Sequence, residues 1–202
     1  MFRSTRDGGV TVRLSGGEAT LLRTLVVPVM ELLKDPGRPS APSASSASSA
    51  SSDAATLDES ADVFADLEKQ FSSPDEPDPE LPADPVVARL LPDAYQDDPE
   101  KAGEFRKYTE SSLREAKKYF AQTLLDTVPP KGGRVKLTAD QARDWLRALN
   151  DVRLMFGVRL EVTEDFDEQL ASLDQKDPRL AAFEVYGWLG AVQDSLVRAI
   201  AG

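Results

Sequence analysis

Carboxylates, guanidinium groups and paired glycines are the residues of this 202-residue chain whose types and spacing bear on chemistry, because it has no histidine and no cysteine. Two runs of acids stand out: Asp97, Asp98 and Glu100, and Glu164, Asp165, Asp167 and Glu168. Such oxygen ligands suit a hard cation, and the second run is the better candidate. The glycine-containing calcium-loop pattern is absent, however, and acids at a helix start complement the helix dipole without any metal, which is the favoured reading. The glycine pairs Gly8-Gly9, Gly16-Gly17 and Gly132-Gly133 fit neither phosphate-loop nor dinucleotide spacing. Without imidazole there is no Ser-His-Asp triad, and without thiol there is no thiolate nucleophile, disulfide or zinc-thiolate site. The reading is therefore of a protein that is not an enzyme, with no catalytic residue, metal or cofactor.

Basic residues offer a binding surface instead. Arg106, Lys107, Arg114, Lys117 and Lys118 fall in one segment of helical spacing, with 107, 114 and 118 on one face, and Lys131, Arg134 and Lys136 follow soon after. This basic face is a candidate nucleic-acid surface. Glu104, Glu110 and Glu115 interleave with it and no recognition-helix pattern accompanies it, so a solvated helix face is favoured and direct DNA contact stays open. A second candidate is the polar run LNDVRL, which sets Asn150, Asp151 and Arg153 beside an apolar stripe. A buried Asp151 or Arg153 needs a charged or hydrogen-bonded partner, and Arg106 or Arg159 can serve Asp151. These five residues form a candidate polar cluster, structural or partner-binding.

The elements that carry these residues are set by pattern. Net charge is −11, and the segment 35–100 holds the excess, with 3 basic and 16 acidic residues; 101–202 balances at 16 and 16. Residues 35–56 are Pro, Ser and Ala repeats that cannot offset their ordering entropy, so 35–85 reads as a disordered acidic insert. Within it Leu57, Ala61, Phe64, Leu67 and Phe71 recur at helical spacing and predict a short amphipathic helix over 57–71. The insert divides one domain into 1–34, an N-terminal hairpin and helix, and 86–202, the helical remainder.

An internal echo joins the two parts. VRLSGGEATLL (12–22) and VKLTADQARDW (135–145) share V-x-L-S/T-x-x-E/Q-A at an offset of 123. Alternating Val and Leu predict a strand, and Ser15 with Glu18, or Thr138 with Gln141, predicts a capping box opening a helix. Two unrelated capping boxes would read the same way. The strands 10–14 and 134–137, with Phe2 to Thr5 folded back as a hairpin, are expected to form one small sheet.

Helices are predicted over about 16–34, kinked at Pro28, 99–127 behind Asp98-Pro99, 139–156 or slightly beyond, a short one through Leu173, and 178–200. In the second, Phe105, Tyr108, Leu113, Tyr119, Phe120 and Leu124 are the inward candidates. The last is apolar nearly all round, interrupted by Glu184, Gln193, Asp194 and Arg198, which argues for burial and against a membrane span. Gly187 and Gly190 admit a close helix, either from the same chain or as a homodimer seam. The fold class is mainly α: a helical bundle with a small antiparallel β-sheet, α+β at the margin. The first 20 residues lack an apolar core of the signal-peptide type, so a cytoplasmic location is expected.

Four blocks, MFR at the start, RLLPDAYQDDPEKAGEFRKYTE (89–110), DWLRALNDVRLMFGVRL (144–160) and VYGWLGAVQDSLV (185–197), carry a resemblance. The chain resembles an actinobacterial domain-of-unknown-function family encoded near the proteolytic adaptor ClpS, whose members include oxidative-stress transcriptional regulators. The resemblance covers both ends and most of the second half, and the Ser-rich insert lies outside it. It implies a non-enzymatic transcriptional regulator acting through protein partners, RNA polymerase or a sigma factor. The alternative it implies is an adaptor of the Clp proteolysis system. Thiol sensing would need cysteine, so a redox signal must enter through the partner or by oxidation of Met30 or Met155, both better read as core filler.

Overall fold

The computed structural model describes residues 2–34, 84–95, 98–174 and 176–202. The insert from 35 to 83, including the helix predicted over 57–71, lies outside the described residues, as does Asp97. Among the described residues three strands and six helices are present: β1 (Arg3–Ser4), β2 (Val10–Leu14), α1 (Gly16–Leu32), α2 (Pro85–Leu90), α3 (Pro99–Thr127), β3 (Gly133–Leu137), α4 (Ala139–Arg159), α5 (Phe166–Ala171) and α6 (Leu180–Ala201). The fold is mainly helical with one antiparallel sheet in the order β1-β2-β3.

The echo is an internal pseudo-symmetry. Val12 pairs with Val135, its own equivalent, and the register runs outward from Val10 against Leu137 to Leu14 against Gly133. Each strand runs straight into a helix through a complete capping box, Ser15 with Glu18 and Thr138 with Gln141. The glycines ahead of the strands, Gly9 and Gly132, are also equivalent. A Cβ at Gly9 would lie 2.5 Å from the Leu137 carbonyl oxygen, and one at Gly132 would lie 2.6 Å from the Ser15 carbonyl carbon. Each copy's turn thus rests on the other copy's strand-to-helix junction, where only a hydrogen fits.

The core lies between the sheet, α1, α4 and α6. Val10, Val12, Leu14, Leu22, Val26, Val29, Leu137, Trp145, Leu149, Leu189 and Leu196 are all buried. Trp145 is fully enclosed, its ring edge-on to Phe2 at 6.0 Å and its Nε1 donating to Thr127 Oγ1 at 2.7 Å, so its one polar atom is satisfied. Helix α1 continues through Pro28. The carbonyl that Pro28 leaves unbonded belongs to Thr24, which is exposed and so open to water.

Two boundaries and one helix face differ from expectation. A short helix, α2, begins at Pro85 under an N-cap from Asp84 and packs Val86, Val87 and Leu90 into the core. Its Asp-Pro start was visible in the sequence, but six residues give too few turns for a periodic signal. Asp177-Pro178 does not open α6, because the Asp177 carboxylate accepts from the Arg179 N–H and Leu180 bonds back to the Asp177 carbonyl, closing a turn first. Helix α3 has the predicted ends but not the predicted face. Phe120 is half-buried and Leu124 buried, whereas Phe105, Tyr108, Leu113 and Tyr119 are exposed. The inward face is Ala102, Arg106, Arg114, Ala121 and Leu124. At 3.6 residues per turn, 105, 108 and 119 lie on a side turned away from 106, 114 and 121.

The glycines of α6 are filled from within the molecule. The Phe166 ring lies 3.6 Å from where a Cβ of Gly187 would be, and the Arg153 guanidinium carbon 3.9 Å from that of Gly190. On α4, Gly157 receives Tyr186 in the same way at 3.7 Å.

Candidate functional site

Inward arginines on α3 are tolerable because each finds an acceptor. Arg106 pairs with Asp93, in the segment after α2. Arg114 donates from Nε to Glu110 one turn back at 2.7 Å and from Nη1 to the Leu32 carbonyl at the end of α1 at 3.3 Å. Lys117 reaches Asp151 on α4 at 2.6 Å. Asp151 is 3% exposed, and burial pushes its carboxyl above the ordinary 3.8, with Lys117 opposing the shift without cancelling it.

The polar cluster therefore divides. Asp151 has Lys117 as its partner, not Arg106, which pairs with Asp93, nor Arg159, which is exposed at the far end of α4. Arg153 turns toward α6, where it donates to Gln193 Oε1 at 2.9 Å and Tyr186 Oη at 3.3 Å, with its guanidinium over the Tyr186 ring at 5.0 Å. Asn150 shares a cavity with Arg153. Of the basic face, Lys107 is exposed and Lys118 half-buried, while Arg114 is buried and Lys117 is turned onto Asp151. Lys136 pairs with Asp7 across the sheet at 2.9 Å. Arg106, Arg114 and Lys117 are thus paired inward, whereas Lys107, Lys131, Arg134 and Lys136 are exposed.

The acidic runs take structural positions. Asp98 caps α3 through the Lys101 N–H, and its side-chain bond to Lys101, assisted by that N–H, lowers its pKa. Asp167 and Glu168 occupy the first turn of α5. No group of three or more acids among the described residues is placed to hold a metal ion.

What the exposed face of α3 builds is a groove of about 410 Å³. Leu91, Pro92 and Ala94 form one wall, and Ala102, Phe105 and Leu113 the other. The Arg106–Asp93 pair lies in it, and Tyr95 stands at its edge against Phe105, ring to ring at 6.0 Å. Tyr95 is 47% exposed, Phe105 46% and Tyr108 65%, so three neighbouring aromatic rings face water. A contiguous apolar patch rimmed by charge suits an apolar or aromatic side chain of another molecule, and such rings commonly carry most of an interface's binding energy. Sequence reasoning assigned the α3 rings to the core. The available signal was the i, i+3 pair Phe105 and Tyr108 opposite a run of arginine and glutamate.

The chain matches the family described as Domain of unknown function (DUF2017) over residues 1–200, and it is a member of that family. It is 40% identical over 134 residues to the oxidative stress regulator AosR of Mycobacterium tuberculosis (strain ATCC 25618 / H37Rv), and equally to that of Mycobacterium bovis. The putative oxidative stress regulator AosR of Mycobacterium leprae is 36% identical over 132 residues. The match spans 60% of this chain and 60% of the length of the first two relatives, and 59% of each chain for the third. No solved structure matches the chain. Among the described residues no helix is long and apolar enough to cross a membrane.

Proposed function

We propose that this chain is a non-enzymatic regulator of the oxidative-stress response that acts on transcription by binding a protein, RNA polymerase or a sigma factor, in the groove beside α3. The names of the relatives support the stress-response role. The observation that carries the mode of action is the groove itself, where Phe105, Tyr108 and Tyr95 stay in water although a core of comparable residues lies one helix face away. Exposing rings forfeits roughly 1.5–3 kcal/mol each relative to burial, a cost that a docking partner recovers. A protein partner is favoured over DNA because Arg106, Arg114 and Lys117 are committed to carboxylates. With no cysteine in the chain, the oxidant is sensed by the partner.

The test is direct binding of the full chain to purified RNA polymerase and to isolated sigma factors of its host, by interferometry. Saturable binding to one of them, weakened about tenfold or more by Phe105→Ala and Tyr108→Ala, is the expected result. Both side chains are exposed, so the variants keep the fold. Binding that ignores these substitutions removes the groove from the mechanism. Binding only to Clp components moves the protein to proteolysis.

A further inference from the structure

The cavity that holds Asn150 and Arg153 lies on another part of the molecule from the groove. It encloses about 480 Å³ between α2, α4 and α6, and its polar lining is Arg89, Asn150, Arg153, Glu161 and Tyr186. That size fits a small organic molecule. From this lining the geometry points to a binding site for a small oxyanion, a carboxylate or phosphate ester, held between Arg153 and Arg89.

Three observations carry the inference. Arg153 is fixed in place, gripped by Gln193 and Tyr186, and its guanidinium lies at van der Waals distance from the Gly190 position. Both acceptors are neutral, and its Nε is buried with no hydrogen-bond partner, so among the described residues its charge meets no carboxylate. Arg106, Arg114 and Lys117 on α3 each have one. An oriented guanidinium with unused hydrogen-bonding capacity is what bidentate recognition of an oxyanion requires.

Arg89, at the end of α2, brings a second guanidinium to the same cavity, exposed and without an ion pair among the described residues. Asn150 and the Tyr186 hydroxyl supply neutral hydrogen-bonding groups. The remaining charge, Glu161, forms no ion pair with either arginine, and its field is felt at Arg179 outside the cavity. Glu161 has φ 52° because it closes α4 as the left-handed residue of its C-terminal cap, its N–H on the Val158 carbonyl and the Val162 N–H on the Gly157 carbonyl. Two cations against one acid leave the cavity cationic in a chain of net charge −11.

The experiment titrates the full chain with inorganic phosphate and, separately, with citrate, against sodium chloride at matched ionic strength, read by heteronuclear NMR and calorimetry. Saturable shifts confined to residues around Arg89, Asn150, Arg153 and Tyr186 are expected, with affinity falling about tenfold or more in Arg89→Gln. Arg89 is exposed, so that variant keeps the fold. Preference for phosphate or for citrate assigns the site to a phosphate ester or a carboxylate. Shifts that chloride reproduces, or binding that survives both Arg89→Gln and Asn150→Ala, overturn the assignment.

Discussion

Asp151 joins a buried ion pair to a raised carboxyl pKa, and the two together fix how it responds to pH. Its folded-state pKa lies above the unfolded value of about 3.8, so the folded protein binds this proton more tightly. Its contribution to stability therefore grows as pH falls from neutral through the raised value, and is complete below the unfolded one. Asp151→Asn removes that slope. Urea unfolding of the two proteins across the acid range should show the wild type gaining on the variant as pH drops; parallel curves would exclude the linkage. Glu18 behaves in the opposite sense, because the Ser15 N–H holds its carboxylate below the ordinary range and its contribution is lost on acidification. Glu161 allows a change in the other direction. Its φ of 52° suits glycine, and Glu161→Gly is expected to raise stability by about 0.5–1 kcal/mol, measured as a shift in the urea midpoint.

Among the elements, the two strand-to-helix units can be separated by their glycines. Gly8 and Gly132 both have positive φ, +76° and +75°, but a Cβ at Gly8 meets nothing within 4 Å while one at Gly132 meets the Ser15 backbone. Gly8→Ala should cost about 1 kcal/mol for the backbone alone, and Gly132→Ala clearly more, because the second copy's turn must lift off the first copy's junction. Equal losses in chemical denaturation would show that the two units do not bear on each other. These junctions were legible in the sequence because a capping box spans three residues and its chemistry is local. The orientation of α3 was not. Its arginine and lysine partners lie 13, 82 and 34 residues away at Asp93, Leu32 and Asp151, so no window of helical periodicity contains the reason they point inward. An aromatic on a helix is taken as core until such acceptors appear. The groove was hidden for the same reason, and Arg153 was found only as one polar residue beside a stripe.

For the whole molecule, the same arginines fasten the segments on either side of the insert. Arg114 holds the end of α1, just before residue 35, and Arg106 holds Asp93, which follows α2 on the other side of the insert. With both ends held, the Pro, Ser and Ala composition of 35–56 predicts that the intervening length enters stability mainly as loop-closure entropy, about 0.6 kcal/mol per doubling. Replacing residues 38–80 by a short Gly-Ser linker, a shortening of about fourfold, should stabilise the protein by about 1 kcal/mol. A large loss on calorimetric melting would show instead that residues 57–71 pack against the rest.

The pairing of Val12 with Val135 also has a consequence in time. On a ribosome adding about 5–20 residues per second, the 123 residues between these partners take roughly 6–25 s to make. Through that interval the first strand has no third strand, and Ser15 has no glycine turn above it. Leu22, Val26 and Val29 likewise wait for a helix synthesised last but one among the long ones. Nascent chains of this protein therefore pass through a stage in which an amphipathic first helix is available to chaperones, and slowing translation after the insert lengthens it.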